Sequence, residues 1–225
     1  MEINCLNNSI HNIKYSNNSF VVQFLTFKEI WIFNCYEGCQ YLIANNNLKI
    51  NNISKIIMTD LHIKNMSGLL GLLSSLNLIG RIKSLHIYGP KDLAYYLDLS
   101  KKYSHTNFNY IIYIHILTTG LIINYQKYRV YAFNNNCKYE FLIIQSEKYG
   151  KFILDKAQNN YLLPGPLYGD LKKGLYFVLP DGVILNGNYF TLLNNLFGNQ
   201  ISFILDRYYR RINIENNIIA SIILY

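Results

Sequence analysis

Three groups of side chains in this sequence could do chemistry: basic residues able to hold phosphates, cysteines able to bind metal or pair with one another, and histidines. Lys172 and Lys173 lie in the stretch PGPLYGDLKKG, in which Gly165, Pro166 and Gly169 shape a turn and the lysines offer charge to phosphates. Arg207, Arg210 and Arg211 interleave with Tyr208 and Tyr209 in DRYYRR, a mixture that can stack on bases and pair with phosphates. The same run also reads as the cap of a helix lying over the core, and that reading takes precedence. Cys5, Cys35, Cys39 and Cys137 do not make a disulfide framework in a chain of 225 residues. Cys35 and Cys39 stand at a C-x3-C spacing with no second pair to complete a zinc knuckle, so they read as small, partly buried hydrophobes in a reducing compartment. His86 and His115 fall in strand-like runs and read as hydrogen-bonded sheet residues.

The elements that must position these groups are legible from the apolar pattern. SFVVQFLT (Ser19 to Thr26) and IWIFN (Ile30 to Asn34) read as a hairpin, and KIIMT (Lys55 to Thr59) as a central strand. A helical stretch covers Gln40 to Asn45. MSGLLGLLSSLNLIG, from Met66, is apolar on nearly every side and predicts a helix buried against a sheet. LHIYGP (Leu85 to Pro90) is a strand with a Gly-Pro stop, followed by KDLAYYLDLSKKY, an amphipathic helix whose terminal lysines suit the negative end of its dipole. IIYIHILTTGLII, from Ile111, predicts two buried strands around a turn. Further strands are expected at Arg129 to Phe133, Phe141 to Ile144, YFVLP and ISFILD. Strand clusters alternating with helices argue for an α/β sandwich.

Composition sets bounds on the partners. Hydrophobic residues make up 51% and charged residues 15%, which excludes a disordered tail. The net charge of +8 favours a polyanionic partner, although AT-rich coding would enrich lysine by itself. The abundance of Asn, Ile, Lys, Tyr and Phe points to such an AT-rich genome, an organelle's or a parasite's. No signal peptide is read at the N-terminus and no apolar run is long enough to span a membrane.

Four stretches, in order, resemble the ribonuclease Z family of tRNA 3′-end endonucleases. IFNCYEGCQ (Ile32 to Gln40) resembles the family's LFDCGEGTQ turn, and KIIMTDLHIKNMSGLLGLLSSLNLIGR (Lys55 to Arg81) its strand-loop-helix segment that carries the first metal ligands. LHIYGP matches the next strand, and PGPLYGDLKKG followed by DGVILNGNYF resembles the protruding arm that grips tRNA. The resemblance implies a metallo-β-lactamase-like αββα sandwich over residues 1–225, incomplete at its C-terminus, with 150–175 inserted as a tRNA-binding arm.

The family's chemistry uses two zinc ions sharing a water that attacks the phosphodiester. Their ligands come largely from a His-x-His-x-Asp-His loop. Here the loop reads Asp60, Leu61, His62, Ile63, Lys64, Asn65. By this resemblance His62 is the retained ligand and Asp60 a replacement able to ligate through oxygen. Asn65 is an amide in place of a histidine, and Lys64 occupies the catalytic aspartate's position. An ammonium beside a dication meets repulsion on the order of several kcal/mol at an effective dielectric of about 20. The next metal histidine falls at Asn134, and Asp206 keeps the bridging aspartate, with Leu205 where a glycine is expected. His11, His86, His105 and His115 match no ligand position. The family's last metal histidine belongs to a segment past Tyr225. In the arm, Asp170 stands where the family more often has Lys or a neutral residue.

The resemblance therefore implies a ribonuclease Z-like protein, a tRNA 3′-trailer endonuclease by family, with catalysis impaired because most zinc ligands are replaced. The alternative is a non-catalytic RNA-binding or partner protein that keeps the fold and arm. Expected metal positions are His62, Asp206 and Asp60, with zinc itself in doubt; the RNA-binding positions are Gly165, Pro166, Gly169, Lys172 and Lys173. Expected partners are tRNA or precursor tRNA, and either a second copy of the chain or an intact homologue, because the family's short members work as homodimers. A plastid-encoded origin fits the composition and the resemblance to bacterial-type enzymes.

Overall fold

The strands of this chain form where β-branched and aromatic residues alternate faces, and the helices where leucines recur at helical spacing. The computed structural model describes residues 3–6, 10–16, 19–24, 27–125, 128–135, 138–146, 150–192, 198, 200–204 and 222–224. In chain order these hold β1 (Ile3–Leu6), β2 (Ile10–Ser16), β3 (Ser19–Phe24), β4 (Glu29–Phe33), α1 (Cys39–Asn45), β5 (Ile53–Ile57), α2 (Ile63–Met66), α3 (Leu69–Leu78), β6 (Leu85–Gly89), α4 (Leu93–Ser104), β7 (Ile112–Ile116), β8 (Gly120–Tyr125), β9 (Tyr128–Asn135) and β10 (Lys138–Gln145). There follow β11 (Lys151–Phe152), α5 (Leu154–Asn159), α6 (Pro166–Lys172), β12 (Tyr176–Val178), β13 (Ile184–Asn186), β14 (Thr191–Leu192), β15 (Gln200–Phe203) and β16 (Ile222–Leu224). Two compact units result, one of Met1–Ile143 with Ile201–Tyr225, the other of Ile144–Gln200.

In the first unit a seven-stranded sheet runs in the order β1 to β7, and a second sheet in the order β16-β15-β10-β9-β8. The first sheet changes character at β4. Strands β1 to β4 pair antiparallel, whereas β4, β5, β6 and β7 run parallel, with helices in the crossovers between them.

The period of two along β3 and β4 separates two cores. Val21, Ile30 and Ile32 join Ile56 and Ile87 in packing against Ile43 of α1, the leucines of α3 and Leu93 and Leu97 of α4. Phe20, Val22, Phe24, Trp31 and Phe33 pack against Val130, Phe141, Ile143 and Phe203 of the second sheet. Phe20 stacks on Phe33 with ring centroids 4.4 Å apart, and both rings meet Phe203. The described layers are thus helix, sheet, sheet, as an α/β sandwich requires.

The helix expected from Met66 is buried against the sheet, whereas the segment from Ile111 needs correction. The α3 leucines bury one stripe, Leu69, Leu72, Leu73 and Leu76, while Leu78 and Ile79 face outward at its end. The segment from Ile111 does form two strands around a turn, but of the segment's apolar residues only Leu117 and Ile123 are buried. Among the described residues β7 and β8 each have a neighbouring strand on one side only, and Tyr113, Ile114, Ile116 and Leu121 are exposed. An apolar run alone cannot tell a central strand from an edge one.

The second unit has its own small core of Ala157, Leu162, Leu171, Leu185 and Phe190, with Phe152, Leu167 and Tyr168 packed on it. The expected turn at Gly165 to Gly169 is instead the start of α6. Pro166 sits at its N-terminus, where the missing amide hydrogen costs nothing and the fixed φ suits a helix. β12 and β13 close a hairpin, with Phe177 opposite Leu185.

One ionic cluster sits at the start of β4 and β5. Glu29 Oε2 accepts from Trp31 Nε1 at 3.1 Å, Ser54 Oγ at 2.9 Å and Lys55 Nζ at 3.3 Å, and Lys55 lies over the Trp31 ring. Burial pushes the Glu29 carboxyl up, but the Trp31 hydrogen bond, the Lys55 charge and the Ser54 hydroxyl outweigh it and hold the group below its ordinary value. A depressed folded value means that the stability it confers is full above the ordinary pKa of 4.5 and is lost as pH falls through the folded value. Glu29→Gln should therefore cost about 1–3 kcal/mol in urea unfolding at about pH 7, since it leaves Lys55 without its carboxylate. The gap from wild type should close as pH falls through the folded value, and a gap that stays constant down to about pH 3 would assign the loss to packing instead.

Candidate functional site

The parallel strands β4 and β5 end side by side, and the chain beyond each is tied to the other by buried polar groups. Asn34 N donates to Ile57 O at 2.9 Å, and Asn34 Oδ1 accepts from Thr59 N at 2.9 Å and Thr59 Oγ1 at 3.1 Å. Asn34 reaches this position with φ of 57°, a left-handed conformation that Asn adopts more readily than most residues. Thr59 O accepts from Tyr139 N, which ties the strand end to β10. The stretch after β4 is anchored in turn to α2 and α3. Cys35 N donates to Asn65 O at 2.7 Å, and Gly68 N to Cys35 O at 2.9 Å. A side chain on Gly68 would meet Tyr36 O at 2.0 Å, so only glycine permits this approach.

Within this frame the loop from Asp60 to Asn65 closes on itself. Asp60 and Asn65 are buried, whereas His62 and Lys64 are exposed. Asp60 Oδ1 accepts from Asn65 Nδ2 at 2.7 Å and from His62 N at 2.9 Å. His62 caps α2, its Nδ1 accepting from Lys64 N at 3.3 Å. Asp60 Oδ2 is buried and makes no hydrogen bond among the described residues.

Tested against a pair of zinc ions, the described loop does not fit. Asn65 presents a donor toward Asp60 where a metal needs an acceptor, one Asp60 oxygen already receives two hydrogen bonds, and one His62 nitrogen is used in capping. Asn134, at the family's next ligand position, lies exposed on β9. Among the described residues no three His, Cys, Asp or Glu side chains converge as a metal site. Asp206, Leu205 and the DRYYRR cluster of Arg207, Arg210 and Arg211 lie outside the described residues.

The arm positions are accessible. Gly165, Pro166, Gly169, Lys172 and Lys173 are all exposed, the two lysines at the end of α6. Lys173 Nζ pairs with Asp170 Oδ1 at 2.9 Å, so part of its charge is offset within the same helix. Sequence reasoning passed over Tyr161 and Tyr176, whose rings the second unit leaves exposed. The aromatic residues in this Pro- and Gly-rich stretch were the available signal.

The remaining candidates occupy structural positions. Cys35 and Cys39 are buried free thiols. A hydrogen bond between them holds the Cys39 thiol below its ordinary range and, with burial, pushes Cys35 well above it. His86 Nδ1 and His115 Nε2 are 3.0 Å apart across β6 and β7, one donating to the other, and His115 stacks on Tyr88. Burial, the neighbouring imidazole and Lys55 lower the His86 pKa, which favours the neutral ring that such a pair requires.

No family model matches the chain. The ycf56 protein of Porphyra purpurea is 36% identical, the match covering 98% of this chain and 86% of that protein. The ribonuclease Z of a Nostoc species is 35% identical over 71% of this chain, which spans half the length of that enzyme. Among solved structures, the short form of human tRNase Z shares the fold, with a TM-score of 0.50 and 24% identity over 56% of this chain and 57% of that one. The chain, similar to the ycf56 protein over nearly its whole length, thus belongs to the ribonuclease Z family of the metallo-β-lactamase fold.

Proposed function

We propose that this chain is a ribonuclease Z-like protein that binds tRNA or precursor tRNA and whose capacity to cleave the 3′ trailer is impaired. The observation that carries the reading is the 2.7 Å hydrogen bond from Asn65 Nδ2 to Asp60 Oδ1. A loop that in the family presents acceptors to metal here satisfies one oxygen of its own carboxylate, and Lys64 adds a cation where the resemblance places an aspartate. A zinc pair, where bound, supplies an activated water. A single zinc held by Asp60, His62 and Asp206 is the most this loop supports, through the uncommitted Asp60 Oδ2.

A second reading, a non-catalytic tRNA-binding partner protein, is favoured by the separate core of the second unit. That core can hold α6 and its exposed lysines in place without any contribution from the loop. On either reading the chain pairs with a second copy or with an intact homologue that supplies the cleaving site. Relatives in red algae and cyanobacteria support a plastid-encoded origin.

The purified chain should hold fewer than two zinc ions and leave a precursor tRNA untrimmed. Two zinc ions with correct 3′ trimming would overturn the impaired reading. Lys64→Asp combined with Asn65→His should raise zinc uptake measured by elemental analysis. Asn65→Ala alone should lower stability by about 1–3 kcal/mol in urea unfolding, because it removes a donor from a buried carboxylate.

The arm gives a separate check. Lys172→Ala should weaken tRNA binding in gel shifts and reduce the salt slope by roughly 0.7–0.9. Lys173→Ala should do less, since Asp170 already offsets its charge. Absence of any tRNA shift at low salt would remove the RNA-binding component of both readings.

A further inference from the structure

β4, β5 and β6 run parallel, so they also begin at a common end, and that end lies a strand's length from Asp60. For β5 the distance along the strand is roughly 16 Å at about 3.3 Å per residue. There the first unit opens a cleft of about 620 Å³, lined by the first residues of the three strands and by the turns that enter them. That volume falls within the range of small-ligand sites, about 300–1,000 Å³.

The lining is strongly one-signed. Lys28, Lys55, Arg81 and Lys83 face a single carboxylate, Glu29, which leaves a net charge of +3 among them. Glu29 cannot neutralise more than its neighbour, because Oε2 is already held by Trp31, Ser54 and Lys55 and the Tyr125 hydroxyl donates to Oε1. Arg81 is buried, and its guanidinium donates to three backbone carbonyls, Lys83 O at 2.7 Å, Ser84 O at 2.8 Å and Asn51 O at 3.3 Å. Carbonyls take up three of its hydrogens but do not cancel its charge, and among the described residues no carboxylate pairs with it. Lys28 and Lys83 are exposed, without an ion pair among the described residues. A desolvated cation fixed behind two free ammonium groups, in a concave lining with hydroxyl and amide groups, focuses positive potential on the cleft.

We propose that this cleft is an anion site for a phosphate-bearing small molecule of nucleotide size. Lys28 and Lys83 contact the phosphates, and Arg81 acts through its field and by holding the chain around Lys83 and Ser84. The site lies at the amino ends of the parallel strands, so it is separate from the Asp60 loop and does not rest on the tRNA-binding reading. The chemistry recognised is the phosphate group, which a free nucleotide or an RNA strand could each supply.

The test is calorimetric titration of the full chain with pyrophosphate, ADP and sulfate in moderate salt, repeated with Lys28→Glu/Lys83→Glu and with Lys172→Ala. Both lysines of the double variant are exposed, so it should keep the wild-type circular dichroism spectrum and melting temperature. Saturable binding of pyrophosphate and ADP is expected, about tenfold or more weaker in the double variant and unchanged in Lys172→Ala. Equal affinity for sulfate and pyrophosphate would reduce the cleft to a nonspecific basic surface and overturn the proposal. So would an unchanged affinity in the double variant. Binding of an RNA oligonucleotide at the cleft, with neither pyrophosphate nor ADP bound, would overturn the small-molecule assignment in favour of a strand.

Discussion

The hydrogen bond between Asn65 and Asp60 sits at the centre of a buried polar cluster on which the geometry of this end of the fold depends. Asn34, Thr59, Asp60 and Asn65 are all buried where β4 and β5 end, and burying such groups without partners costs several kcal/mol. Here they largely satisfy one another. Thr59 donates to Asn34, Asn65 to Asp60, and the backbone of Cys35 to Asn65. The apolar layers above and below fix where the strands lie, but this cluster fixes how the chain leaves them. A single amide thereby couples the turn after β4 to the loop after β5.

The two ends of the parallel strands handle charge in opposite ways. At the carboxyl end one Asp60 oxygen is matched by hydrogen bonds from the loop and the other is not, while the cationic Lys64 points to solvent. At the amino end Lys55 and Glu29 neutralise one another under the Trp31 and Tyr125 rings, while Arg81 is held by carbonyls and the Tyr110 ring, with no carboxylate paired to it among the described residues. A buried cation without a counterion is tolerated when its hydrogens are satisfied and its field extends into solvent rather than into the core. Arg81 meets that condition because the cleft lies beside it.

Much of the fold was legible in the sequence because its signals are local. The alternation of Phe20 to Phe24 and Ile30 to Phe33, the leucine spacing of α3 and the lysines closing α4 each declare an element from neighbours in the chain. What failed was non-local. Whether Tyr113 or Ile116 is covered depends on where a strand lies in its sheet, which no window of sequence contains. The turn expected at Gly165 became a helix because Pro166 can begin one as readily as it can bend a loop. The loop residues Asp60, His62, Lys64 and Asn65 were legible only through resemblance, and the resemblance named positions without revealing that Asn65 turns toward Asp60. The cleft was invisible for a further reason: residues 28, 29, 55, 81 and 83 share no motif and meet only because three strands start together.

On the proposed reading, Asn65 also explains how a loop of this type can lose its metal role without losing its shape. Histidines and carboxylates crowded around two cations are held together by the cations' charge, and without that charge they become buried acceptors with little to accept. Replacing one acceptor by an amide changes the arithmetic, since a donor now faces a carboxylate at 2.7 Å. Lys64 cannot do the same, because an ammonium drawn inward would leave water, and it faces solvent instead. On the proposed reading the two substitutions are therefore unequal. Asn65 preserves the fold at the site, and Lys64 is accommodated only because the site no longer needs the space in front of it.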